Sequence, residues 1–324
     1  MVETAVLNAP RHGTKLSRGF LKSDRMELSF VPDFGCHWSR LRLSVKGEWV
    51  DFLTPISNGD VLLDRPTGQG SYVLGPWVHR IPGGEFEFQG KTYKLRPNHT
   101  DGSALHGDVR FRPWKVLRST NALFEATLET LECENFNYPF SLRFHHSMEL
   151  QDDRLSVRMT AENLDGVPAP IGMGYHPCLL RRLTWKDEDV YVALNAEKVY
   201  QLENGLPISS ATRPEGASDL RENSLRPLGQ ERIHNCYTEL TDGVCSLIYP
   251  GSGVKARFEL GDYSHVVIHT QEGGKLSQWV AVEPVTHISN GFNLHAQGWE
   301  GTGVRVLEPG ERWTASWALS VGDI

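Results

Sequence analysis

The chain has 324 residues, 39% of them apolar and 23% charged, with a formal net charge of -7. That length supports a large hydrophobic core, and a β-rich chain of this size can form one domain, expected here over residues 1–324. The acidic balance argues against nucleic acid as a partner, since a phosphate backbone needs a basic face. With no apolar run of about 18 residues, no membrane span is expected.

The dominant period along the chain is two, the pattern of half-buried strands. In chain order, strands are expected over 26–30, 38–45, 124–131, 140–150, 155–161, 190–194, 244–249, 254–260, 265–269, 278–283, 304–307 and 313–319. The clearest is 140–150, where Phe140, Leu142, Phe144, His146, Met148 and Leu150 alternate with Ser141, Arg143, His145, Ser147 and Glu149. Asn58-Gly59, Asp101-Gly102, Asp165-Gly166, Asn204-Gly205, Asp242-Gly243 and Pro309-Gly310 read as turns. Residues 206–232 are polar and poor in strand signal, and read as a long loop. No amphipathic helix of about 12 residues is evident. Many strands with short turns predict an all-β chain, two large and mostly antiparallel sheets packed face to face as a β-sandwich.

Cys36, Cys133, Cys178, Cys236 and Cys245 are odd in number and contain no C-x-x-C pair. They form neither a disulfide framework nor a zinc knuckle, and free thiols in a reducing compartment are expected. Met1-Val2-Glu3-Thr4-Ala5 shows no secretory pattern, so a cytoplasmic location is expected. His145-His146 does not make a ligand pair, because neighbouring strand residues face opposite ways. No P-loop or dinucleotide glycine motif is present. No metal and no cofactor is expected.

Polar residues interrupt the strand-like text in three places. The first runs from Trp77-Val78-His79-Arg80-Ile81 through Arg96-Pro97-Asn98-His99 to Leu105-His106-Gly107. The second is Gly174-Tyr175-His176-Pro177. The third is Val282-Glu283-Pro284-Val285-Thr286-His287, closing with Asn290 and Asn293. Five short motifs in this order resemble the signature regions of the aldose 1-epimerase (galactose mutarotase-like) family: Arg80-Ile81, Leu105-His106-Gly107 followed by Trp114, Tyr175-His176-Pro177, Glu283-Pro284 and Pro309-Gly310-Glu311. The resemblance spans roughly residues 25 to 320. It implies the family's large β-sandwich, the galactose mutarotase-like supersandwich, with a cleft across one sheet. It also implies Glu283 as general base, His176 as general acid, and His106 and Arg80 as sugar-holding groups near the ring oxygen.

One departure bears on the sugar. The family commonly has an aspartate three residues before an aromatic, and here His234 stands in that place, before Tyr237. A carboxylate accepts from two hydroxyls, whereas a neutral imidazole offers one donor and one acceptor. His234 is therefore a candidate sugar contact with altered preference. Tyr175 is placed with it in the substrate-contacting set, and Trp77 and Trp279 are further stacking platforms, although core packing is the commoner role for such rings.

Interconverting anomers needs a base to take the anomeric proton and an acid to protonate the ring oxygen, one on each side. Glu and His suit these roles, each transfer contributing roughly 10²–10⁴-fold. A hydrolase would want two carboxylates, and only Glu283 is clearly placed. The expected partner is a small monosaccharide, with no nucleic acid, no membrane and no defined oligomeric state. A non-catalytic carbohydrate-binding or metabolite-sensing module is the alternative. Galactose, glucose, arabinose, an acidic sugar and a sulfonated hexose such as sulfoquinovose stay open; Arg80, Arg110, Arg112 and Arg118 could line a basic pocket that receives an anion, although facing solvent is the commoner role for each.

Overall fold

A computed structural model describes residues 5–64, 68–230, 232–270 and 278–324. The reading of the N-terminus as lacking a leader falls on residues 1–4, outside the described residues, as does Glu231 within the long 206–232 segment.

Among the described residues, the strands assemble into a 14-stranded sheet, a five-stranded sheet and three two-stranded ones. Antiparallel pairing runs through the large sheet. The chain is all-β, as expected, with the two main sheets very unequal in size. The smaller runs in chain order from Ala5–Ala9 to Glu48–Asp51. It packs on the large sheet through rings: Phe30 lies 4.4 Å from Phe124, and Trp38 stacks on Trp317 at 5.9 Å. The Trp38 indole N–H points at Met148 Sδ, 3.1 Å away.

The alternation seen in the sequence is realised in Leu142–Gln151. Leu142, Phe144, His146, Met148 and Leu150 are buried, and the residues between them turn outward. Each fully buried Leu or Phe stabilises the fold by about 1.5–3 kcal/mol. The strands read at 190–194 and 244–249 are the ends of longer ones, Tyr191–Glu203 and His234–Tyr249. Asp242-Gly243 is not a hairpin turn. It lies inside His234–Tyr249, where Glu239 and Gly243 adopt positive φ and the strand irregularly changes partners. Asn58-Gly59 opens a short helix, Gly59–Leu63, because the Asn58 side chain accepts a hydrogen bond from the Val61 N–H. The expected strand 124–131 stops at Glu129, and Thr130–Glu132 forms a 3₁₀ turn whose Thr130 hydroxyl accepts from the Leu142 N–H.

Several strands had no readable period because they are two or three residues long: Val73–Leu74, Arg80–Ile81, Ala104–Leu105, Gly174–Tyr175 and Cys178–Leu180. These short pieces border the cleft described next. The only other α-helix among the described residues is Gly291–Ala296, and no helix is long and apolar enough to cross a membrane.

Candidate active site

Residues directly opposite one another in an antiparallel ladder point to the same face. In the large sheet Cys178 pairs with Ala281, Ala281 with His269, and His269 with His234. The next row places Glu283 beside Val267 and Cys236. Trp279, Ala281 and Glu283 alternate along one strand and so share that face. The neighbouring strand is broken at His176-Pro177, between Gly174–Tyr175 and Cys178–Leu180, and the break lies level with Glu283. His176 Nε2 thus comes within 3.3 Å of Glu283 Oε1. Trp279–Val285 is an interior strand with partners on both sides, so Glu283-Pro284 does not mark a sheet edge.

Loops build the opposite wall. Asn98 fixes the approach to His106 by bonding both the N–H and the C=O of Leu105, at 2.7 and 3.0 Å. The His106 N–H then donates to the His79 C=O at 3.0 Å. His79 and His106 both hold left-handed backbone, at φ 53° and 62°. Non-glycine residues in that region carry strain that the surroundings must hold. The segment after Glu283 does much of the holding: His287 Nε2 accepts from the Val78 N–H at 3.2 Å, and the Ser289 hydroxyl accepts from the Arg80 N–H at 3.3 Å. Gly107 must be glycine, since its φ is +71° and a Cβ would sit 1.9 Å from the Gly75 carbonyl oxygen.

The resulting cleft has a volume of about 490 Å³. Glu283, His176, His106, Arg80 and His234 all line it, together with His79, His99, Asp101, Arg232, His269 and Trp279. The His106 ring stands edge-on to His176 at 5.3 Å and to His79 at 5.5 Å. Tyr72 stacks on His176 at 4.7 Å, and Cys178 Sγ lies 3.5 Å from its Nδ1. Arg80 Nε donates to Asp101 Oδ2 at 2.8 Å. Burial opposes ionisation of Asp101, but the hydrogen bonds from Ser103 and Arg80 outweigh it and hold the carboxyl below its usual range. The Asn204-Gly205 turn closes over Arg80, where a Cβ on Gly205 would lie 2.2 Å from Nη1.

Glu283 is 2% exposed, and burial pushes its carboxyl well above the ordinary glutamate value, with Arg80 opposing. Burial, assisted by nearby His269, pushes His176 well below the ordinary histidine value. Burial likewise lowers His234 to about 3 and His269 to about 4. A carboxylate made more basic by burial is a better proton acceptor for a hydroxyl, and one proton held between the touching groups can sit on the carboxyl or on the imidazole; on His176 it gives a carboxylate acceptor beside an imidazolium donor. Glu283 and His176, expected on opposite edges of a sugar, lie side by side in the cleft, 3.3 Å apart at their nearest atoms.

Two expectations need correction. Tyr175 does not line the cleft. It is 1% exposed and packs 5.4 Å from Trp317 and 5.8 Å from His146, because the side chain preceding His176 in extended backbone points to the other face. Trp77 is also core, its indole N–H donating to the Ala104 C=O, and only Trp279 of the three rings reaches the cleft. The four-arginine pocket does not form either. Arg110 is buried against Tyr72, Arg112 binds Asp108, and Arg118 is exposed on Lys115–Ser119. Asn293 and His287 serve the backbone rather than the cleft, Asn293 bonding Glu85 and Glu87. Sequence reading passed over His79 and His99 although both stood in the first polar block. His269 and Arg232 gave no signal without the strand register. His79, His106 and Glu283 also bring three metal-type donors within 4.8 Å of one another, an arrangement no sequence spacing announced.

The sheet architecture is that of galactose mutarotase-like proteins. A galactose mutarotase-like protein from Clostridium acetobutylicum superposes with a TM-score of 0.81 at 23% identity, covering 96% of each chain. The galactose 1-epimerase of Lactobacillus acidophilus NCFM gives 0.77 at 15% identity, over 100% of this chain and 99% of that one. Residues 21–320 match the aldose 1-epimerase family, and the chain belongs to it. It is also similar to the uncharacterised protein YihR of Escherichia coli K12, 27% identical over 252 residues, 76% of this chain and 78% of that protein.

Proposed function

We propose that this protein interconverts the α and β anomers of a free monosaccharide by acid-base ring opening and closure. Glu283 takes the proton of the anomeric hydroxyl. His176, as the imidazolium, delivers its proton to the ring oxygen as the C1–O5 bond breaks and is left neutral. The aldehyde turns about its C1–C2 bond, and the same two groups with reversed roles close the ring. The observation that carries this reading is the 3.3 Å approach of His176 Nε2 to Glu283 Oε1 at the floor of a monosaccharide-sized cleft. Burial supports it by raising the basicity of the carboxylate, as a base working near neutral pH requires.

His106, beside His176, stabilises charge developing on the ring oxygen. Arg80, held by Asp101, and His234, paired with His269, bind the remaining hydroxyls. Trp279 offers a ring face near His269. The test is anomer-exchange NMR over a panel of free neutral, acidic and sulfonated sugars. Acceleration of exchange for at least one sugar is expected. Saturable binding with no acceleration of any would favour a carbohydrate-binding or sensing module instead.

A further inference from the structure

The anomer-exchange reading gives His79 no task, although it lies beside His106 and Glu283 on the cleft floor. His79, His106 and Glu283 are 4%, 6% and 2% exposed. His79 Nε2, His106 Nδ1 and Glu283 Oε2 have no hydrogen-bond partner among the described residues. Buried polar atoms without a partner are uncommon, so three in one place need an account. Sugar hydroxyls can satisfy some of them. The donor set itself points elsewhere, since two imidazoles and one carboxylate are what zinc-class ions select, whereas magnesium and calcium prefer all-oxygen shells.

We propose that the cleft floor binds one divalent transition-metal ion, of the zinc class, through His79, His106 and Glu283. Their ligand atoms already lie within 4.8 Å of one another. A tetrahedral zinc with bonds of about 2.0–2.1 Å spaces its ligands about 3.4 Å apart, so closure requires side-chain shifts of about an ångström. His79 Nδ1 is 3.9 Å from Glu283 Oε2, and the His106 N–H to His79 C=O bond holds the two imidazoles on adjoining backbone. Three protein ligands leave the fourth position open to the cleft. The site goes beyond the anomer-exchange reading, rests on it for the roles of Glu283 and His106, and shares both residues with it. A bound ion occupies the carboxylate lone pairs that ring opening needs, so the ion and the reaction exclude each other. The proposal is therefore an inhibitory metal site.

Titration of the chelator-treated protein with Co²⁺ reads the site without any sugar turnover. One Co²⁺ per chain should bind, with the intensified visible bands of a four- or five-coordinate ion, and Zn²⁺ should displace it. His79→Gln and His106→Gln, each checked for native circular dichroism, should weaken binding by at least the 10–100-fold that loss of an outer-shell partner causes. A wild-type spectrum that remains that of the aquo ion overturns the site. So does a strong spectrum that neither substitution changes, because other histidines then hold the ion. With a sugar that the wild type turns over, one equivalent of Zn²⁺ should abolish catalysed exchange. Full exchange by the zinc-loaded protein overturns the shared use of Glu283.

Discussion

The two ends of the 14-stranded sheet are built to opposite rules. Across Leu142–Gln151, Arg154–Asn163 and Arg312–Asp323, apolar side chains face inward and charged ones complete pairs outside. Arg143 bonds Glu129 and Glu162 at 2.7 and 2.9 Å, and Arg154 bonds both oxygens of Glu259 at 2.6 Å. At the cleft the ladder is equally regular, yet Glu283, His79, His106 and His269 each bury a polar atom without a partner among the described residues. Two of those residues also sit on left-handed backbone. The first region pairs its charged side chains within the protein. The second gathers buried polar atoms that a ligand could satisfy.

The comparison breaks most visibly at Glu283. Glu283→Gln should cut catalysed anomer exchange by about 10²–10⁴-fold, and His176→Asn by a similar factor, with both variants folded. Optical rotation after dissolving a pure anomer measures this, and a folded variant with the wild-type rate would remove the residue from the mechanism. Asp101→Asn should be milder. Arg80 loses its anchor, and KM should rise by about tenfold, worth 1.4 kcal/mol, with a smaller change in kcat. Concentration-dependent exchange NMR separates the two, and an unchanged KM would free Arg80 from any sugar-holding role.

Two residues in the paired region violate its rule: Trp317, whose indole N–H is buried without a partner among the described residues, and His146. His146 is fully buried among Trp114, Phe124 and Tyr175, with neither ring nitrogen bonded among the described residues. His146→Leu should therefore stabilise the fold by about 1–2 kcal/mol with activity intact. Burial lowers this imidazole to about 3, below its ordinary 6.5. The unfolded chain takes up the proton first, so the wild type loses stability as pH falls from 6.5 toward 3, and the variant should be spared that loss. Thermal melts across that window check both claims, and a lower Tm at pH 7 would show that the imidazole has a role in packing. Smallest of all, Arg143→Ala should leave the Tm almost unchanged, because exposed ion pairs contribute little. A larger drop in Tm would mean that the outer pairs matter more than their exposure suggests.

The sequence made the paired region legible and the cleft only partly so. Period-two burial in 140–150 needs nothing but the side chains themselves. Glu283, His176, His106 and Arg80 were found through short motifs, because their elements are too brief or too interrupted to carry a period. The touching of His176 and Glu283 depends on a strand break at His176-Pro177, and His269 reaches the cleft only through its register with His234. Register between distant strands is a tertiary property, invisible along the chain. Tyr175 was misplaced for the converse reason: adjacency to His176 in sequence means opposition in a strand.

The pH dependence of kcat/KM tests the central claim most directly, since its acid limb reports the base of the free enzyme. Activity should switch on with rising pH through a midpoint well above 4.5, the ordinary glutamate value, because burial raises Glu283 and the base must be deprotonated to act. An acid limb at or below 4.5 would contradict the account and place the working base on a solvated group outside the cleft floor.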